Sequence, residues 1–182
     1  MQPIKIDLLI NSRWIIPVAP ENRVFENCAL AIDQQKIVGI YPQAEAKSKF
    51  DPASVVDLAD HILMPGLVNA HGHAAMSLLR GYADDLPLQP WLEEHIWPVE
   101  ARVLSAEFVA DGTNLAMAEM IKTGTTCFAD MYFFADTVAE QVQRSGMRSQ
   151  IGFTVFDFPT AGGKDPDDYI HKGLQLRDTY KG

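Results

Sequence analysis

Through the first sixty residues apolar and polar positions alternate in short runs broken by turn residues. That period of two predicts strands at 4–10, 13–18, 29–32, 36–40 and 55–58, with no amphipathic helix in competition. Asp33-Gln34-Gln35 reads as a tight hairpin connection between two alternating segments, and Pro42 with the polar stretch 45–51 ends the meander. Residues 1–60 are therefore expected to form a small β layer.

From His61 the rhythm changes to strand followed by helix. Residues 62–70 are apolar and extended, interrupted by Pro65-Gly66, and run into His71-Gly72-His73. A helix is expected from Ser105 as N-cap, with Glu107 in its first turn, an apolar stripe of Phe108, Val109, Leu115, Ala116, Met120 and Ile121, and Gly124 as its stop. A strand at 125–131 follows, then a helix capped by Asp136 and ended by Gly146, then a strand at 148–156. Asp165-Pro166 supplies an N-cap and first-turn pair for a last helix, 167–180. Alternating strands and helices imply the α/β class, with a parallel sheet covered by helices. About three such units fit in residues 61–182, whereas a closed eight-unit barrel needs about 250 residues. The expectation is a partial (β/α)8 barrel belonging to a longer chain, rather than a small complete open sheet.

Composition narrows the function classes. The 182 residues are 47% hydrophobic and 21% charged, as in an ordinary globular protein. The formal charge of -9 includes no Lys/Arg block, which argues against a nucleic-acid or anionic-membrane surface and points to a small-molecule partner. No stretch reaches the roughly 18 apolar residues of a membrane span, and the N-terminus lacks the charged and apolar regions of a secretory leader, so cytoplasm is the expected compartment. Cys28 and Cys127 fit no CxxC pattern and are read as buried thiols.

The chemistry lies in His71 and His73. Side chains two apart on an extended segment point to one face, so both imidazoles can be presented to one point, and Gly72 between them permits close approach. Neutral imidazole suits Zn, Fe, Ni or Cu at about 2.0–2.1 Å. A His-x-His triplet by itself is a weak signal that also fits two polar loop histidines. Its place, closing a strand at the expected C-terminal mouth of a parallel barrel, strengthens the metal reading.

The segment from Met64 to His73, MPGLVNAHGH, resembles the first barrel strand of the amidohydrolase superfamily. The resemblance continues through LRGYADDLPL (79–88), Trp91-Leu92, Trp97-Pro98-Val99-Glu100 and GTTCFAD (124–130), which is similar to the deaminase and chlorohydrolase branch, and most of all to its 5'-methylthioadenosine/S-adenosylhomocysteine deaminase group. By position it implies that His71 and His73 are the first two ligands of one divalent metal, most often Zn with Fe as the alternative. It implies that Glu100 is a carboxylate that binds the nucleoside ribose. It also implies a third histidine ligand, a substrate histidine, a proton-shuttling His-x-x-Glu segment and an aspartate ligand. These are expected beyond residue 182, so no catalytic residue is expected within the chain, which alone should be inactive. Some members hold a substrate carboxylate with an arginine after the third strand, whereas Ile151-Gly152-Phe153-Thr154 offers none.

The expected domains are 1–60, the N-terminal part of a composite β-sandwich, and 61–182, the first part of the hydrolase barrel. The implied reaction is hydrolytic deamination of a purine nucleoside-type substrate such as 5'-methylthioadenosine, S-adenosylhomocysteine or adenosine. A bound metal would lower the pKa of water toward about 7, and a carboxylate would move protons. Alternatives are a guanine or cytosine deaminase, a triazine chlorohydrolase, or a truncated domain without catalysis. A homo-oligomer is a general expectation for the full-length form. Asp84-Asp85 reads as a solvated turn, and Trp91 and Trp97 as part of a long helix-poor connection. Asp130 reads as a helix contact or a site residue, and His61, His95 and His171 as structural or surface histidines.

Overall fold

The computed structural model describes residues 2–181. They divide into two compact units, Met1–Pro65 and Gly66–Gly182.

The first unit is a four-stranded sheet in the order β3-β2-β1-β4. Strand β1 (Ile4–Ile15) pairs antiparallel with β2 (Phe25–Asp33), which pairs antiparallel with β3 (Lys36–Pro42). The expected hairpin is present: Gln34 and Gln35 both adopt left-handed backbone, at φ 48° and 62°, as a two-residue hairpin turn requires. The two strands expected at 4–10 and 13–18 are one, because the polar residue between them is not in solvent. Ser12 is fully buried, and its hydroxyl donates toward the carbonyls of Trp14 and His61 at 3.0 and 3.1 Å. The polar stretch after Pro42 is a helix, α1 (Gln43–Lys49), that buries Ala46 against Phe50 and its neighbours. Strand β4 (Phe50–Leu63) then runs parallel to β1 along its whole length. It is far longer than the run at 55–58, since most of its side chains are exposed and carry no apolar alternation.

The second unit holds a three-stranded parallel sheet in the order β5-β6-β7, with β5 at Leu67–Asn69, β6 at Thr125–Met131 and β7 at Arg148–Gly152. The apolar run 62–70 is therefore two strands. Residues up to Leu63 finish β4, where Leu63 pairs with Ile15, and Pro65, which has no N–H for a ladder, ends the first unit. The break falls at Pro65–Gly66, later than the boundary expected after residue 60. Strand β7 stops at Gly152, four positions short of the expected Phe156.

A 3-10 turn (Ala74–Leu79) follows the histidines. The connection expected to be poor in helix is helical: α2 (Leu88–Pro90) continues through a π-type turn (Trp91–Ile96) into α3 (Trp97–Val103). Helix α4 (Ala106–Lys122) begins as expected, with Ser105 Oγ accepting from the Phe108 N–H at 3.1 Å. Ser105→Ala is expected to destabilise the fold by about 1 kcal/mol, read as a lower urea midpoint with unchanged slope. Helix α5 (Ala135–Ser145) is entered through Phe134 in left-handed conformation rather than through an Asp136 cap; Asp136 lies in the first turn, where a carboxylate still favours the helix dipole. Helix α6 (Pro166–Thr179) has the expected Asp165 cap, accepting from Asp168 N–H at 2.9 Å.

The core of this unit gathers Ala74, Ala75, Val109, Ala116, Met117, Phe128, Tyr132, Val138 and Val142. Phe128 is fully buried, which is worth about 1.5–3 kcal/mol. The buried face of α4 is rotated from the expected stripe: Val109, Gly112, Thr113, Ala116 and Met117 face inward, whereas Leu115 and Ile121 are 39% and 56% exposed. Small residues on that face let the turn after the histidines lie directly on the helix. A Cβ at Gly112 would stand 2.3 Å from the Ala75 carbonyl oxygen. No helix among the described residues is long and apolar enough to cross a membrane.

Candidate metal centre

The histidine pair lies just past the C-terminal end of β5, not within it. The chain is turned there by Asn69, whose Oδ1 accepts from the His71 N–H at 3.3 Å. The His71 and His73 rings are adjacent, with centroids 5.2 Å apart and planes at 80°. His71 is exposed and His73 half-buried, so the pair opens to one side and rests on protein at the other.

That support is the end of β6. The Met131 carbonyl lies 2.6 Å from His73 Nδ1. A carbonyl can only accept, so Nδ1 donates to it, and in the neutral imidazole Nε2 is then the nitrogen with the free lone pair. The Met131 N–H donates back to the Gly72 carbonyl at 3.2 Å. A side chain at Gly72 would meet the Ala129 carbonyl at 3.2 Å, closer than such contacts usually run, so glycine allows the loop to lie flat on the strand. One residue earlier on β6, Asp130 Oδ1 accepts from the Ala74 N–H at 2.6 Å. Asp130 is 3% exposed and its Oδ2 is buried with no partner among the described residues. Burial pushes its carboxyl above the usual carboxylate range, against the opposing pull of the Ala74 N–H and His73.

Glu100 comes to the same end of the sheet from α3 and is buried, 7% exposed. The Tyr132 hydroxyl donates to its Oε1. Desolvation raises the Glu100 carboxyl, with the Tyr132 hydrogen bond and His73 pulling it back. Burial, and then the Glu100 carboxylate, push the Tyr132 hydroxyl well above its ordinary value. The Tyr132 ring lies 6.3 Å from that of His73, centroid to centroid. Tyr132 thus lies against both residues singled out from the sequence, the half-buried histidine and the glutamate.

His71, His73 and Glu100, all singled out in the sequence, come to the same end of the β5-β6-β7 sheet. Asp130, expected as a helix contact or a site residue, holds the backbone of the histidine loop. Tyr132 was not among the expected residues. The alternation Phe128, Asp130, Tyr132 along β6, all three buried, carries the missing signal, because it continues the strand's inward face past the strand's end. His95 packs edge-on to Tyr82 and His171 pairs with Gln175, while His61 lies in β4 of the first unit. Among the described residues no third His, Cys, Asp or Glu joins His71 and His73 in a group able to hold a metal. A cavity of about 750 Å³ lined by Tyr132, Phe133, Phe153 and Tyr169 contains neither histidine nor Glu100.

The family model described as "Amidohydrolase family" matches residues 62–181. The chain is 54% identical to a 5-methylthioadenosine/S-adenosylhomocysteine deaminase of Saccharophagus degradans over 96% of its length and 39% of that protein. It is 46% identical to a 5'-deoxyadenosine deaminase of Methanosarcina mazei, over 80% of its length and 32% of the relative. Among solved structures, an adenosine deaminase from Xanthomonas campestris with bound zinc superposes with a TM-score of 0.94 at 48% identity, covering 98% of this chain and 41% of that one. The chain thus spans between about a third and two fifths of the length of these relatives.

Proposed function

Because the chain belongs to the amidohydrolase family, we propose that it forms part of a metal-dependent hydrolytic deaminase of a purine nucleoside-type substrate, 5'-methylthioadenosine, S-adenosylhomocysteine or adenosine. In this reading β5, β6 and β7 with α4, α5 and α6 are the first three units of a (β/α)8 barrel, and the first unit is part of a β-sandwich. The observation that carries the reading is the His73 to Met131 hydrogen bond, which occupies Nδ1 of a half-buried imidazole and leaves Nε2, in the neutral ring, as the nitrogen free to bind a cation. Metal-ligating histidines almost always donate their other ring N–H to a carbonyl, a carboxylate or water.

The residues present fit one divalent cation. His71 and His73 would supply two neutral nitrogen ligands suited to zinc, the metal bound by the similar Xanthomonas structure. The chemistry a divalent metal supplies at such a site is Lewis acidity, which brings the ionisation of water down to near pH 7. The chain's own residues bind and orient. Met131 and Asp130 hold the histidine loop, and Glu100 accepts hydrogen bonds from the sugar hydroxyls in a site dry enough to strengthen them. Glu100 binds and does not shuttle protons; the proton-transfer groups and the remaining ligands belong to the rest of the full-length enzyme.

The test is direct. The full-length protein, given 5'-methylthioadenosine, S-adenosylhomocysteine and adenosine in turn, is expected to release ammonia with loss of adenine absorbance from at least one. Turnover of guanine or cytosine with none of the three nucleosides would replace this reading by another deaminase of the family.

A further inference from the structure

We infer that Tyr132 is a positioning residue for nucleoside binding: its hydroxyl holds Oε1 of Glu100 so that Oε2 is presented to the sugar diol, and the preference for a ribose over a deoxygenated sugar depends on it. The inference rests on the proposed role of Glu100 and adds to it a residue that never touches the substrate. Three observations carry it. The Tyr132 hydroxyl donates to Oε1, while Oε2 is neither hydrogen-bonded nor fully buried among the described residues. The glutamate has no salt-bridge partner among the described residues, so a neutral phenol, not a cation, orients its carboxylate.

The third observation is topological. Among the described residues the Tyr132–Glu100 hydrogen bond is the sole side-chain hydrogen bond from the helical segment 88–103 to the β6 end. Tyr132 follows β6 directly and is 6% exposed, with its ring packed edge-on to Phe133 at 5.2 Å between centroids. A ring so enclosed has a fixed hydroxyl position, whereas a glutamate has three rotatable bonds and needs an external reference. The same residue lies beside His73, so the distance between sugar site and metal site is set by one side chain.

The test uses the full-length metal-loaded enzyme and its variants Tyr132→Phe, Glu100→Gln and the double variant. Each is assayed for kcat and KM on adenosine and on 2',3'-dideoxyadenosine, with metal content and melting temperature measured alongside. Tyr132→Phe keeps the ring and its packing, so a folded enzyme with full metal content is expected. Its kcat/KM on adenosine should fall roughly tenfold, mainly through KM, at the low end of what removing a supporting hydrogen bond costs. On the dideoxy substrate it should change little, and the double variant should be no worse on adenosine than Glu100→Gln. Equal losses on both substrates would make Tyr132 merely structural, and no loss on either would make it irrelevant; both overturn the inference. If Glu100→Gln shifts the ribose preference and Tyr132→Phe does not, only this inference fails. If Glu100→Gln leaves the preference unchanged, the sugar-binding role of Glu100 fails and takes the inference with it.

Discussion

His73→Ala in the full-length protein is expected to abolish both bound metal and deamination, while His95→Ala, the same change at a half-buried histidine packed on Tyr82, leaves both intact. Pre-organisation matters here more than ligand count. An imidazole free to rotate loses entropy on binding a cation. The His73 ring is already fixed through Nδ1 to the Met131 carbonyl and keeps the tautomer a metal needs. Folding should survive the change, since one hydrogen bond to a half-buried group is worth about 0.5–1.5 kcal/mol net. His71 is exposed, and its alanine variant should lose metal as well. Elemental analysis of the purified proteins decides the matter: stoichiometric metal in the His73 variant would sink the assignment.

The second large effect is expected where helix α4 meets the turn that follows the histidines. Gly112→Ala should destabilise the chain by about 2 kcal/mol, within the range of about 1–3 kcal/mol for overpacked cores. Two effects oppose each other. Alanine is the better helix former by about 1 kcal/mol, which would stabilise α4 were the site open. It is closed by main-chain atoms: the new Cβ would stand 2.3 Å from the Ala75 carbonyl oxygen and 2.8 Å from its Cα, and backbone cannot rotate aside as a side chain can. The 3-10 turn must lift from the helix, carrying the Ala74 N–H away from Asp130. A lowered urea midpoint with disturbed histidine resonances is the expected pair of observations. An unchanged or raised midpoint would mean that the turn does not rest on α4.

What the sequence made legible follows the physics of each signal. The histidine pair and the strand-helix rhythm are carried by residue type and spacing, whereas Glu100 stood out only through the resemblance of Trp97-Pro98-Val99-Glu100 to a family motif. The hairpin at Gln34-Gln35 and the caps at Ser105 and Asp165 were legible because the chemistry of a turn or cap lies within four residues of chain. Periodicity failed where burial and polarity part company. Ser12 is polar and buried, so β1 looked like two strands; β4 is exposed along most of its length, so its alternation was faint. The run 62–70 stayed apolar across a boundary between two sheets, and only Pro65 marks where one ladder ends. The inward face of α4 was misjudged because glycine and threonine, weak markers of a core, occupy it. Asp130 and Tyr132 act through atoms of residues more than thirty or fifty positions away, and no local pattern carries such a pairing.

Three consecutive residues of β6 and its exit, Asp130, Met131 and Tyr132, each grip a different piece of the mouth: the Ala74 amide, the His73 ring and Glu100. Their place against the histidine loop comes from the register of β5 on β6, in which Val68 and Asn69 lie opposite Cys127 and Phe128. A slip of one residue would move every grip by about 3.3 Å along the strand and turn the two side chains to the opposite face. All three attachments would open together. Pairing the strands and assembling the mouth are therefore one event, substitutions at these positions should combine non-additively, and the order of the His73 ring serves as a gauge of strand alignment.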